Sequence, residues 1–260
     1  GLIEQGWAQV MQGDYPGAIG NMYSLHSPYF KAVYMPESWV VRTIGYINIC
    51  QYGDAYNALS KMEKKYSDWH SRSSTYIGKN KSSKNYYQTT VKYLKGKSTK
   101  DVNGLPYQVI REMARQRDYL NYQDSINTKV DEVSQYNFIY GLIKEDQNKM
   151  KWRIRKAKDR VRELRANIAK TKKNKALLKN LIEWKQQLAF EKQLIVKLKF
   201  QLAAFESGRK SYLGLRARAK KRINGEMYVL RGKAGKALKS SLTEIRKQLA
   251  SVLDNNEFLR

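Results

Sequence analysis

Leu177, Leu181, Trp184, Leu188, Ile195, Leu198, Leu202 and Phe205 mark the stretch of sequence that decides the fold. Apolar residues recur there in alternating steps of four and three, and Glu191 alone stands where the next apolar residue is due. A second run, Leu238, Leu242, Ile245, Leu249 and Val252, repeats the pattern, as does a weaker one, Ile154, Ala157, Val161, Leu164 and Ile168. Such spacing lines up side chains on one stripe of a helix, so two stripes can zip together. Residues 138–253 contain no proline. They predict long helices forming an antiparallel coiled-coil or bundle arm, with Leu188, Ile195, Leu198, Leu242 and Leu249 in its seam.

Charge is concentrated on the same region. The chain has 50 Lys and Arg against 23 Asp and Glu, a formal net charge of +27. From residue 138 onward there are 33 cations against 11 acids, and before it 17 against 12. A field of that sign favours polyanions: nucleic acid, anionic lipid, a cell-wall polymer or an acidic protein. Cys50 is the sole cysteine, which excludes an intramolecular disulfide or a cysteine-based metal cluster and is compatible with a reducing compartment. No run of 18 apolar residues exists, so no transmembrane helix is expected. Gly1 stands where an initiator methionine is usual, and a fragment or processed chain is expected.

The first 68 residues contain an echo. Tyr15 and Tyr52 are 37 residues apart, as are Ala18 and Ala55, and each of the two echoing stretches is preceded by one predicted helix and followed by another. In the second copy Trp39, Thr43, Tyr46, Tyr52, Ala55 and Leu59 alternate bulky and small residues. Small Thr43 and Ala55 would let two helices approach while the aromatics fill the space beside them. This stretch resembles the tetratricopeptide repeat, a helix-turn-helix unit of 34 residues. Gly6, Tyr15 and Ala18 fit the same pattern in the first copy, but Gln9 occupies an aromatic position. The resemblance implies a helical solenoid fragment that binds a protein or peptide. Two repeats bury little surface alone, so a following helix is expected to cap them.

Residues 69–105 are rich in Ser, Gly and Lys and predict a polar linker with one short helix near Tyr86, Val91, Tyr93 and Leu94. Asn103-Gly104-Leu105-Pro106 predicts a helix start, and the helix to about Gln135 is the candidate cap. The long helices then occupy residues 106–260. Their turn is expected at Lys170–Lys175, the alternative being one helix of about 70 residues; a second turn is expected at Ser207-Gly208 and a kink near Gly232.

No convergent catalytic set can be assembled, and no cofactor or metal is expected. His26 and His70 lie near predicted loops and read as structural or solvated. Gly232-Lys233-Ala234-Gly235-Lys236 lacks both the spacing and the preceding strand of a phosphate loop. Cys50 reads as a small buried hydrophobe. Candidate contacts for an acidic partner are Arg153, Arg155, Lys158, Arg162, Arg216 and Lys220. The sequence thus points to a non-enzymatic scaffold in a multiprotein assembly, with a basic helical arm that binds a polyanion as the competing function. The pairing of repeats with a coiled coil resembles bacterial envelope scaffold proteins, which implies a periplasmic or envelope location; a cytoplasmic one is the alternative.

Overall fold

The computed structural model of the protein describes residues 1–96, 100–171 and 175–259. The fold is all-α. Eight α-helices account for most of the described residues: α1 Leu2–Gln12, α2 Tyr15–Leu25, α3 Glu37–Asn48, α4 Tyr52–Lys79, α5 Ser83–Gly96, α6 Tyr107–Arg115, α7 Arg117–Thr171 and α8 Leu181–Leu259. Two compact units emerge, one of residues 1–127 with 227–260, the other of residues 128–226.

In the first unit, α1 to α4 each pack on the next, and α1 also packs on α3. The joints explain the echo in the sequence. After α1, Gly13 turns left-handed at φ 82°, and the amides of Gly13 and Asp14 reach back to the carbonyls of Val10 and Gln9. After α3, Cys50 does the same at φ 60°, with Cys50 and Gln51 donating to Ile47 and Tyr46. This is one helix-ending motif used twice, 37 positions apart. Asp14 then caps α2 by accepting from the Gly17 amide at 3.0 Å, with Pro16 in the first turn. Gly6 and Gly45 are close-approach positions: a Cβ there would come within 2.7 Å of Met22 and Ile19 respectively.

The main core contains Leu59, Met62, Tyr66 and Trp69 of α4, Tyr76 further along it, and Tyr86 of α5. Val109, Ile110 and Met113 of α6 join them, with Leu238, Leu242, Ile245 and Leu249 of α8. Two expectations are corrected here. Residues 69–105 are not a polar linker, because α4 runs unbroken from Tyr52 to Lys79 and buries Trp69, Ser73 and Tyr76 on its core face. Serine composition conceals a three-and-four spacing carried by aromatics. Asn103-Gly104 forms a two-residue turn, with both residues at positive φ and Val102 and Leu105 exchanging backbone hydrogen bonds, and the helix expected from this stretch, α6, follows at Tyr107 with Pro106 as its N-cap. Arg72 holds that turn to α4, donating to the Gly104 carbonyl at 2.8 Å and to Asp101 at 2.6 Å. Finally, the Leu238–Val252 seam belongs to this core, so Leu242 and Leu249 are not in the seam of the other unit. The cap is therefore made by α6 together with the end of α8. The expected stripe to Gln135 is interrupted at Gln116, which is extended, and Leu120 and Val130 are about half exposed, at 51% and 47%.

The second unit pairs α7 with the first part of α8. Lys129 bonds Glu226, Glu132 bonds Arg222, the Tyr136 carbonyl accepts from Tyr212, Gln147 bonds Glu206 and Arg209, and Arg160 bonds Glu191. Partners descend along α8 as they ascend along α7, so the pair is antiparallel. Ile154, Ala157, Val161, Leu198 and Ile223 are buried in it, and Leu188 and Ile195 are half-buried. No turn occurs at Ser207-Gly208 and α8 shows no break at Gly232. Glycine inside a helix costs about 1 kcal/mol, and the bonds from Glu206 and Arg209 on either side hold both halves to Gln147. The antiparallel pairing of α7 with α8 excludes the single helix of about 70 residues; Lys172–Asn174, where the turn is expected, and Lys97–Thr99 of the expected linker lie outside the described residues.

Candidate functional site

Among the expected packing residues, Thr43 of α3 and Ala55 and Leu59 of α4 are buried, and α3 packs on α4. Tyr46 is buried and accepts from Arg42 Nε and Nη2 at 3.2 and 2.9 Å. Trp39 is half-buried. Tyr52 departs from its expected role: it is 64% exposed and fills no space between helices. Cys50 is exposed too, because the left-handed residue that ends α3 points its side chain to solvent.

Around Trp39 lies a polar cluster invisible to spacing rules. The His26 ring stacks on Trp39 with centroids 3.9 Å apart. Arg42 donates to His26 Nδ1 at 3.1 Å, and Ser38, whose hydroxyl donates to the Met35 carbonyl, contacts His26 Nε2 at 2.8 Å. These partners fix the neutral ring with its proton on Nε2. Burial, reinforced by the positive charges of Arg42 and Lys65, lowers the His26 pKa to about 4. Arg42 itself lies over the Tyr23 ring at 4.5 Å. The cluster pins the end of α2 to α3, a structural task. His70 lies within α4, not in a loop.

The first unit also carries a groove of about 580 Å³ between α1, α3 and the end of α8. Trp7, Tyr34, Met35 and Val40 supply an apolar floor, and Glu244, Lys247, Gln248, Ser251 and Asn255 a polar rim. Trp7 Nε1 donates to Glu37 at 2.8 Å, which fixes the indole at the groove wall. Sequence reasoning misses this groove because its two sides are some 200 residues apart along the chain.

On the second unit the candidate cations divide. Arg153, Arg155 and Lys158 are exposed and form no ion pair among the described residues. Arg162 is exposed and pairs with Asp159 at 3.3 Å. Arg216 is instead committed to the fold: its guanidinium lies 4.6 Å over the Tyr140 ring and donates to Asn137 at 2.6 Å. Lys220 is half-buried. Seven of the unit's ten acids, Glu132, Glu145, Asp146, Asp159, Glu191, Glu206 and Glu226, already lie within 4.0 Å of a cation. With 27 Lys and Arg in residues 128–226, most of the positive field is left facing outward.

Among the described residues no helix is long and apolar enough to cross a membrane, and no cluster of His, Cys, Asp and Glu could hold a metal ion. Comparison with protein-family models, with curated proteins and with solved structures gives no match.

Proposed function

We infer that the protein is a non-enzymatic scaffold in a multiprotein assembly. Its first unit docks a protein partner through tetratricopeptide-like helices α1–α4, and its second unit is a basic coiled coil that meets an acidic partner or surface. The observation that carries this is the groove beside Trp7. Ligand and peptide sites are typically concave, with apolar surface and polar groups that fix orientation, and the groove combines an apolar floor with a polar rim of similar extent on a helical frame. The resemblance to bacterial envelope scaffolds, with the periplasmic or envelope location it implies, motivates a search for the partner there.

A photoreactive side chain placed at Gln248 or Ser251, both exposed on the rim, tests the docking role. A discrete crosslinked protein is expected from the native source. It should disappear when Ser251 is replaced by Arg, and it should be absent when the probe sits at exposed Lys233. Equal crosslinking from both positions would sink the docking reading.

A further inference from the structure

The outer face of α8 from Ile182 to Ala204 is apolar although α7 covers only the opposite side. Ile182, Phe190, Val196 and Phe200 are 71%, 64%, 69% and 78% exposed. At 3.6 residues per turn, Ile182, Ala189, Val196, Phe200 and Ala203 share a stripe about 60° wide, and Phe190 lies about 80° beyond it, in a recess it shares with Arg160, Glu163 and Leu164 of α7. Lys185, Lys192 and Lys199 run along one border and Lys197 lies on the other. All four are exposed and unpaired among the described residues. Of the carboxylates of this segment, Glu183 lies about 100° round the helix from Ile182, beyond Lys197, and Glu191 about 180° from it; Glu191 is buried there against Arg160. A helix that is apolar on two sides has one side waiting for a partner.

We propose that this stripe is a membrane-surface face, lying in the headgroup region of an anionic bilayer with Ile182, Val196 and Phe200 inserted and the lysines on the phosphates. It deepens the basic-surface half of the proposed function and is independent of protein docking at the groove. The charge pattern selects the occupant. Two copies joined here would bring together two strongly basic units, and seven of ten acids in each already carry a cation, leaving little to offset the repulsion. Nucleic acid would satisfy the lysines but leave the aliphatic residues in water. An anionic bilayer satisfies both, because lysine stems lie along apolar surface while their heads stay at the interface.

The test uses the full-length chain and vesicles of phosphatidylcholine, alone or mixed with phosphatidylglycerol. The parent should sediment with the mixed vesicles and not with phosphatidylcholine alone. The double variant Val196→Ser/Phe200→Ser, at exposed positions, should melt like the parent yet bind the mixed vesicles at least about tenfold more weakly, since apolar insertion supplies the difference. Lys192→Gln/Lys199→Gln should weaken binding and make it less sensitive to salt. A parent that ignores the mixed vesicles overturns the proposal, and so does a Val196→Ser/Phe200→Ser chain that binds undiminished. A parent dimer in solution that the same variant dissociates also overturns it, because a second copy then covers the face. None of these results bears on crosslinking at Gln248, so failure here leaves protein docking standing.

Discussion

The two units solve the burial problem differently. In the first, several helices enclose a common centre, and Tyr66, Tyr86, Leu238, Leu242 and Leu249 reach 0% exposure. In the second, two helices shield one stripe each; Ile223 reaches 0% there, but Ile154, Val161 and Leu198 retain 8%, 9% and 7%. Polar side chains take part in that seam: Gln147 is buried and bridges Glu206 and Arg209, and Glu191 is buried against Arg160. The first unit therefore has the tighter core, while the second displays both its charge and its surplus apolar surface. One helix, α8, serves both, and what its seam packs against changes along its length.

The largest expected effect comes from Leu242→Ala. A fully buried leucine loses about 2–5 kcal/mol on truncation, whereas Leu188→Ala, half-buried in the second unit, should cost about 1 kcal/mol. Equal losses in chemical denaturation would erase the contrast between the units. Next is a glycine pair on the same helix. A Cβ at Gly235 would collide with the Ser83 carbonyl of α5, so Gly235→Ala should destabilise by about 1–3 kcal/mol. At Gly232 nothing stands within 4 Å, and Gly232→Ala should stabilise by up to about 1 kcal/mol. Ala55→Leu, at 4% exposure, should overpack the first unit by about 1–3 kcal/mol.

Glu191→Leu sharpens the comparison from the other side. It replaces a buried carboxylate with the apolar residue its position requires, and Arg160, 67% exposed, stays solvated without it. Thermal unfolding of the second unit should be unchanged or shifted upward, by about 1–2 kcal/mol. Cys50→Gly should stabilise by about 1 kcal/mol, since glycine adopts the left-handed turn without strain.

The remaining effect is one of pH. The folded His26 pKa lies near 4, below the ordinary 6.5. The unfolded chain therefore takes up a proton first on acidification. The His26 contribution is complete above pH 6.5 and is lost as pH falls from there toward 4. Replacing His26 with Gln should flatten the melting temperature across that interval relative to the parent.

Much of the second unit is legible in the sequence, because periodicity reports directly on a helix with one covered face. Ile154, Ala157, Val161 and Leu198 are buried, and Glu191, the lone interruption in the pattern, is the buried carboxylate. The first unit is less legible. Trp69, Tyr76 and Tyr86 sit among serines and lysines, and composition hides their spacing. The docking of Leu238–Val252 on α4 to α6 is a long-range choice, and an apolar stripe does not state which surface it will cover. Of the candidate sites, Arg153, Arg155 and Lys158 are exposed as their positions outside the seam require, whereas Arg216 is drawn in by Tyr140 and Asn137 from the other helix. The groove beside Trp7 has no local signature.

Native-state hydrogen exchange tests the central claim, that the last part of α8 completes the core of the first unit. Amides at residues 238–249 should exchange as slowly as those at residues 59–69 and more slowly than those at residues 188–205, because their opening requires the whole core to open. Exchange at 238–249 in step with 188–205, and faster than at 59–69, would contradict it.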